Sequence, residues 1–99
     1  MTRYAKRVDS NHAEILGRLK AVRGMAVLDT SSMGGLGCDL LCRYQDGPPV
    51  MLEIKSDGKK PLTDSERKLK DMFTGYWFRV ESFEQALAAF GISYERAPF

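Results

Sequence analysis

A mixed α/β (α+β) domain is what the order of patterns along this chain predicts: helix, three strands, helix, strand, helix. Three observations carry that expectation. Apolar residues recur at helical spacing early in the chain, at Ile15, Leu16, Leu19 and Val22. Two apolar, strand-like runs then follow within 18 residues, Cys38 to Tyr44 and Val50 to Lys55, with turn chemistry (Gln45-Asp46-Gly47-Pro48-Pro49) between them. A capping box, Thr63-Asp64-Ser65-Glu66, finally announces a helix ahead of one more aromatic strand. Three consecutive strands and a helical crossover to a fourth give a mixed sheet covered by helices, in the order α-β-β-β-α-β-α.

Each element has its local reason. The first helix is predicted from Asp9 or Ser10, either of which can cap, to about Arg23, with Gly24 stopping it. Met25 to Asp29 (MAVLD) reads as a short strand, and Ser31 to Gly37 as a flexible loop leading into the hairpin. Ser56 to Leu62 is a second loop. The helix opened by Thr63 carries Leu69, Met72 and Phe73 on one face and ends at Gly75. Tyr76 to Val80 (YWFRV) has strand composition, which makes its aromatic residues core rather than a base-stacking platform. Ser82 caps a last helix with Ala86, Leu87 and Phe90 inward, and Gly91 ends it. The segment from Ile92 to Phe99 carries no pattern.

Ninety-nine residues with 43% apolar and 28% charged content describe one ordinary globular domain, residues 1–99 with a core over about 9–90. No apolar run approaches a membrane span and Met1 to Arg7 lacks a signal-peptide core, so the expected location is the cytoplasm. Two cysteines, one histidine and no CxxC leave no zinc site, and Cys38 and Cys42 read as small core residues. His12, in the first helical turn, reads as exposed and uninvolved. A net charge of +2 does not by itself argue for nucleic acid. Its distribution says more: residues 1–23 hold a net +4, from Arg3, Lys6, Arg7, Arg18, Lys20 and Arg23 against Asp9 and Glu14. Lys55, Lys59 and Lys60 form a second cluster, with Arg67, Lys68 and Lys70 beyond it. Such clusters suit a phosphate backbone, and they equally describe solvated surface patches.

The chemistry concentrates in the hairpin. Strand alternation makes Glu53 and Lys55 point one way while Val50, Leu52 and Ile54 point the other. If Asp39 pairs near Glu53 on that face, two carboxylates and an ammonium converge. Like charges that close call for a cation between them, and a hard divalent ion such as Mg²⁺ favours carboxylate oxygens and keeps waters for chemistry. That arrangement suggests phosphodiester hydrolysis. The plain alternative is an exposed strand face with a cross-strand ion pair, worth about 0.2–1 kcal/mol.

Gly37-Cys38-Asp39-Leu40-Leu41, Val50-Met51-Leu52-Glu53-Ile54-Lys55, Leu62-Thr63-Asp64-Ser65-Glu66 and the ending Arg79 to Leu87, in this element order, resemble the PD-(D/E)xK nuclease superfamily. Within it the chain is most similar to the small stand-alone virus-type replication-repair nuclease (VRR-NUC) domains of phages. The resemblance implies a restriction-endonuclease-like core and a Mg²⁺-dependent DNA endonuclease, with Mn²⁺ able to substitute, acting in DNA repair on junctions, flaps or ends. It implies Asp39, Glu53 and the backbone carbonyl of Ile54 as metal ligands, with Lys55 orienting or activating water and stabilising the phosphorane. It also implies an extra acidic ligand at Glu14, which equally reads as a helix-surface partner of Arg18. Lys59 and Lys60 become candidate phosphate contacts, and a homodimer the expected assembly.

Two positions depart from the pattern. Cys38 stands where the family has Pro, a matter of turn shape. Glu66 stands where it has Gln, and its charge would repel a phosphate; Glu66 reads first as the capping-box residue and second as a nucleic-acid contact. The competing reading is a catalytically silent nucleic-acid-binding accessory protein on the same fold.

Overall fold

The computed structural model describes residues 10–99. The Asp9 cap and the basic residues Arg3, Lys6 and Arg7 lie outside the described residues.

The elements are α1 (His12–Lys20), β1 (Met25–Asp29), β2 (Leu40–Tyr44), β3 (Pro49–Ile54), α2 (Asp64–Met72), β4 (Trp77–Val80) and α3 (Phe83–Ala88), with a 3₁₀ turn at Tyr94–Arg96. They form one four-stranded sheet in the order β1-β2-β3-β4. β1, β2 and β3 are antiparallel neighbours, as short connections allow, and β4 lies parallel to β3 because α2 carries the chain back across the sheet. This is the predicted α-β-β-β-α-β-α order around a mixed sheet.

Boundaries moved by a residue or two. α1 begins at His12 after Asn11, whose side chain forms no cap bond at its own helix and instead donates to the Glu81 carbonyl at 2.6 Å. β2 begins at Leu40, so Cys38 and Asp39 precede the strand rather than opening it. The segment after Ile92, without pattern in the sequence, folds back: Arg23 N–H donates to the Pro98 carbonyl, and Tyr94 and Phe99 ring Phe83 at about 6 Å.

The sheet has two unlike faces. One side receives α1 and α3 and buries Ile15, Leu19, Leu40, Leu52, Phe83 and Leu87 completely or nearly so. Fully burying such a side chain contributes about 1.5–3 kcal/mol, so this is where the fold gets its stability. The other side is covered by α2 over β3 and β4. It holds only a small apolar cluster, Cys38, Met51 and Trp77, with Leu41, Leu62 and Leu69 against it. α2 does not bury its predicted stripe: Leu69 is half-buried, but Met72 and Phe73 are 72% and 42% exposed, because only the first turns of the helix meet the sheet. Cys38 and Cys42 form no disulfide and lie in different clusters, and burial pushes Cys42 up to about 12, which leaves it inert. Among the described residues no helix is long and apolar enough to cross a membrane.

Candidate active site

The polar residues on the α2 side meet at one end of β3. The antiparallel register pairs Leu40 with Leu52, which sets Asp39 opposite Glu53. Asp39 is pinned there by its backbone: its N–H donates to the Leu52 carbonyl, and its carbonyl accepts from Thr30 N–H, both at 2.8 Å. Its carboxylate Oδ2 accepts the Ile54 N–H at 2.8 Å, so the acid is fastened to β3 as well. The preceding turn is held by Trp77, whose indole donates to the Gly37 carbonyl at 2.8 Å. Gly37 has φ +103, and a Cβ there would sit 2.6 Å from the Ser65 carbonyl oxygen; no larger residue lets this turn press against α2.

Glu53 and Lys55 share the face, as alternation predicts, and both are buried. The Lys55 ammonium lies 3.4 Å from Glu53 Oε2 and 3.2 Å from Glu66 Oε2. Glu66 reaches it from the first turn of α2. The same carboxylate closes the capping box: Oε1 accepts Thr63 N–H at 2.9 Å, while Thr63 Oγ1 accepts Glu66 N–H at 3.2 Å. One oxygen of Glu66 therefore caps the helix and the other holds the lysine. The sequence favoured the cap as its main role; the fold gives it both.

These groups set one another's protonation. Burial, then the Asp39 charge and Glu66, push the Glu53 carboxyl up to about 8 against the pull of Lys55. Burial would also raise Glu66, but the Thr63 amide, Glu53 and Lys55 outweigh it and hold Glu66 low. Lys55 is opposed by burial as well, yet its contacts with Glu66 and Glu53 raise it above its ordinary value. The two carboxyls are thus pushed in opposite directions, Glu53 toward its protonated form and Glu66 toward its ionised form beside Lys55.

Glu53 Oε1 is fully buried without a hydrogen-bond partner. A buried acceptor left bare, on a carboxyl that burial and the Asp39 charge push toward its protonated form, is what a cation would satisfy. Among the described residues no three His, Cys, Asp or Glu side chains form a ready cage for a metal. Mg²⁺ does not need one: it is commonly held by one or two carboxylates, with waters and substrate phosphates filling the rest. Asp39 and Glu53 fit that donor set.

The remaining candidates are scattered. Ile54 ends β3 with its side chain in the main core and its N–H on Asp39. Glu14 is exposed on α1 and pairs with Arg18 at 3.2 Å, the helix-surface alternative. Lys59 and Lys60 are exposed on the loop after Lys55. His12, expected on the surface, is 6% exposed, with Nε2 3.5 Å from Asp29 Oδ1. The signal was present: His12, Ile15, Leu19 and Val22 fall on one helical stripe. Arg79 enters the sequence reading only within the ending Arg79 to Leu87, with no role at the site. The parallel register sets it beside Glu53, on the same face. No periodicity within one strand could have revealed a neighbour chosen by the crossover.

No family model, curated protein or solved structure matches the chain.

Proposed function

We propose that this protein is a Mg²⁺-dependent DNA endonuclease with a PD-(D/E)xK-type site. The carrying observation is the buried Glu53, its bare oxygen and raised pKa lying between Asp39 and Glu66 with Lys55 in contact. A carboxyl pair that crowded is poorly suited to a purely structural role and well suited to receiving a cation. Bound there, Mg²⁺ would supply Lewis-acid activation of water and phosphate. Asp39, fixed to the backbone of β3, supplies a permanent ligand, and Glu53 a second once it loses its proton. The raised pKa of Lys55 makes it a charge stabiliser for the phosphorane rather than a base. The substrate feature in this reading is DNA shape at a junction, flap or end rather than a long base sequence. Symmetric cutting of such structures calls for two sites, hence a two-fold homodimer, acting in the cytoplasm of a bacterium or phage-infected cell.

A second reading is a silent nucleic-acid-binding protein on this fold. The Glu66–Lys55 contact favours it, since it engages the lysine and adds a third carboxylate where phosphate would come. The two readings separate with labelled single-stranded, duplex, flap and four-way-junction DNA, incubated with Mg²⁺, Mn²⁺ or EDTA. Cutting that needs metal and falls by about 10²–10³-fold or more in Lys55→Ala and Asp39→Ala supports the nuclease. DNA bound but never cut under any metal supports the accessory protein.

A further inference from the structure

We propose that Arg79 is a positioning residue that docks the loop 56–62 beside the site, setting Lys59 and Lys60 as contacts for nucleic-acid backbone phosphates. The phosphate half rests on the nucleic-acid reading above; the docking half does not.

The sequence presents this loop as a flexible lysine pair. The fold builds it around Asp57. Asp57 Oδ1 accepts the Lys59 N–H at 2.9 Å, and the Asp57 carbonyl accepts the Lys60 N–H at 3.1 Å. Those bonds shape the turn, and a further bond reaches it from β4. Arg79 Nη2 donates to the same Asp57 carbonyl at 2.7 Å, across 22 residues of chain. One residue on, the loop lies so close to the strand end that a Cβ on Gly58 would meet Glu81 Oε2 at 2.6 Å.

The origin of that tether is informative. Arg79 is the register neighbour of Glu53 in the parallel pair and points to the side where Met51 and Trp77 pack. It is half-buried, and its Nε is buried without a hydrogen-bond partner. A cation facing the carboxylates could have been spent on Glu53. Instead its resolved bond goes to the carbonyl of a loop whose two lysine side chains are exposed. Guanidinium geometry suits this, because the planar fork reaches from the strand and fixes direction as well as distance. Ordering two lysines in advance lowers the entropy lost when they meet a phosphate.

The test begins without metal or DNA. Trypsin should nick the loop after Lys59, the Lys60–Pro61 bond being resistant. Arg79→Gln should speed that nicking about tenfold at unchanged far-UV circular dichroism, and Arg79→Lys, which keeps a donor for Asp57, should restore most of the protection. In EDTA, Arg79→Gln should weaken binding of a short labelled duplex several-fold. In a Lys59→Ala/Lys60→Ala background it should add nothing further, because the residue acts through those lysines. Under turnover KM should rise while kcat stays within a factor of about two. Equal nicking in wild type and Arg79→Gln would overturn the docking. Additive binding losses, or a fall in kcat at constant KM, would overturn the route through the lysines. If Arg79→Gln does not fold, Gly58→Ala, whose Cβ would push the loop off Glu81, carries the same comparison against wild type. A wild type that binds no DNA while nicking still depends on Arg79 would overturn the phosphate assignment and leave the docking standing.

Discussion

The two faces of β3 are built on opposite terms. Toward α1 and α3, Val50, Leu52 and Ile54 enter a hydrocarbon core in which nearly everything is buried. Toward α2, Met51, Glu53 and Lys55 meet a cover whose only fully buried helical residue is Glu66. One strand thus serves as the keel of the domain on one side and as a store of crowded charge on the other. The difference teaches that stability and chemistry here are separated by a single alternation of side chains. A protein can hold carboxylates in strained proximity if the reverse side of the same strand is anchored well.

The largest loss of stability is expected on the apolar side. Leu52→Ala empties the centre of the main core and should cost about 2–5 kcal/mol, read as a lower midpoint in urea denaturation. The equivalent blow on the wet side should do the reverse. Glu53 has a folded pKa near 8, above its unfolded value, so its contribution is fully present below the unfolded pKa of 4.5 and is lost as pH rises through about 8. Metal-free wild type should therefore lose stability between those two values, and Glu53→Gln should remove most of that slope. At pH above 8 the variant should be the more stable of the two, while failing to cut DNA. Added Mg²⁺ should raise the melting temperature of wild type in that range and leave Glu53→Gln unmoved. A variant less stable than wild type at high pH would contradict the crowding argument.

Smaller effects sharpen the boundary between the faces. Thr63→Ala removes the hydroxyl that accepts the Glu66 N–H and should cost about 1 kcal/mol; the Thr63 N–H that holds the Glu66 carboxylate stays, so cleavage should fall only as far as the frayed first turn displaces Glu66. Thermal melts and turnover on one preparation would show whether the two losses travel together. Glu14→Ala, on the solvent side of α1, should change stability by only about 0.3–0.5 kcal/mol and leave metal-dependent cutting intact. A large loss of cutting there would restore Glu14 to the site.

Much of this was legible before folding. The strand period alone put Glu53 and Lys55 on one face, and the capping box at Thr63 was read correctly to the residue. The stripe through Ile15, Leu19 and Val22 gave the buried side of α1, although His12 on the same stripe was passed over because polar residues are presumed exposed. Met72 and Phe73 misled in the opposite direction: their apolarity promised burial, but how far α2 lies over the sheet depends on its crossover, not on its own period.

What the sequence determined by itself is therefore what depends on near neighbours: element order, the caps, the facing of each strand and the polar residues gathered around one hairpin. These follow from backbone geometry over a few residues, which every tertiary arrangement must respect. Only the tertiary structure decided that Glu66 turns its second oxygen to Lys55, that His12 meets Asp29, and that Arg79 lies beside Glu53 yet holds Asp57. Those contacts join residues 11 or more positions apart, 22 for Arg79 and Asp57. Their register is set by the crossover and by the core beneath it, and no local pattern encodes either.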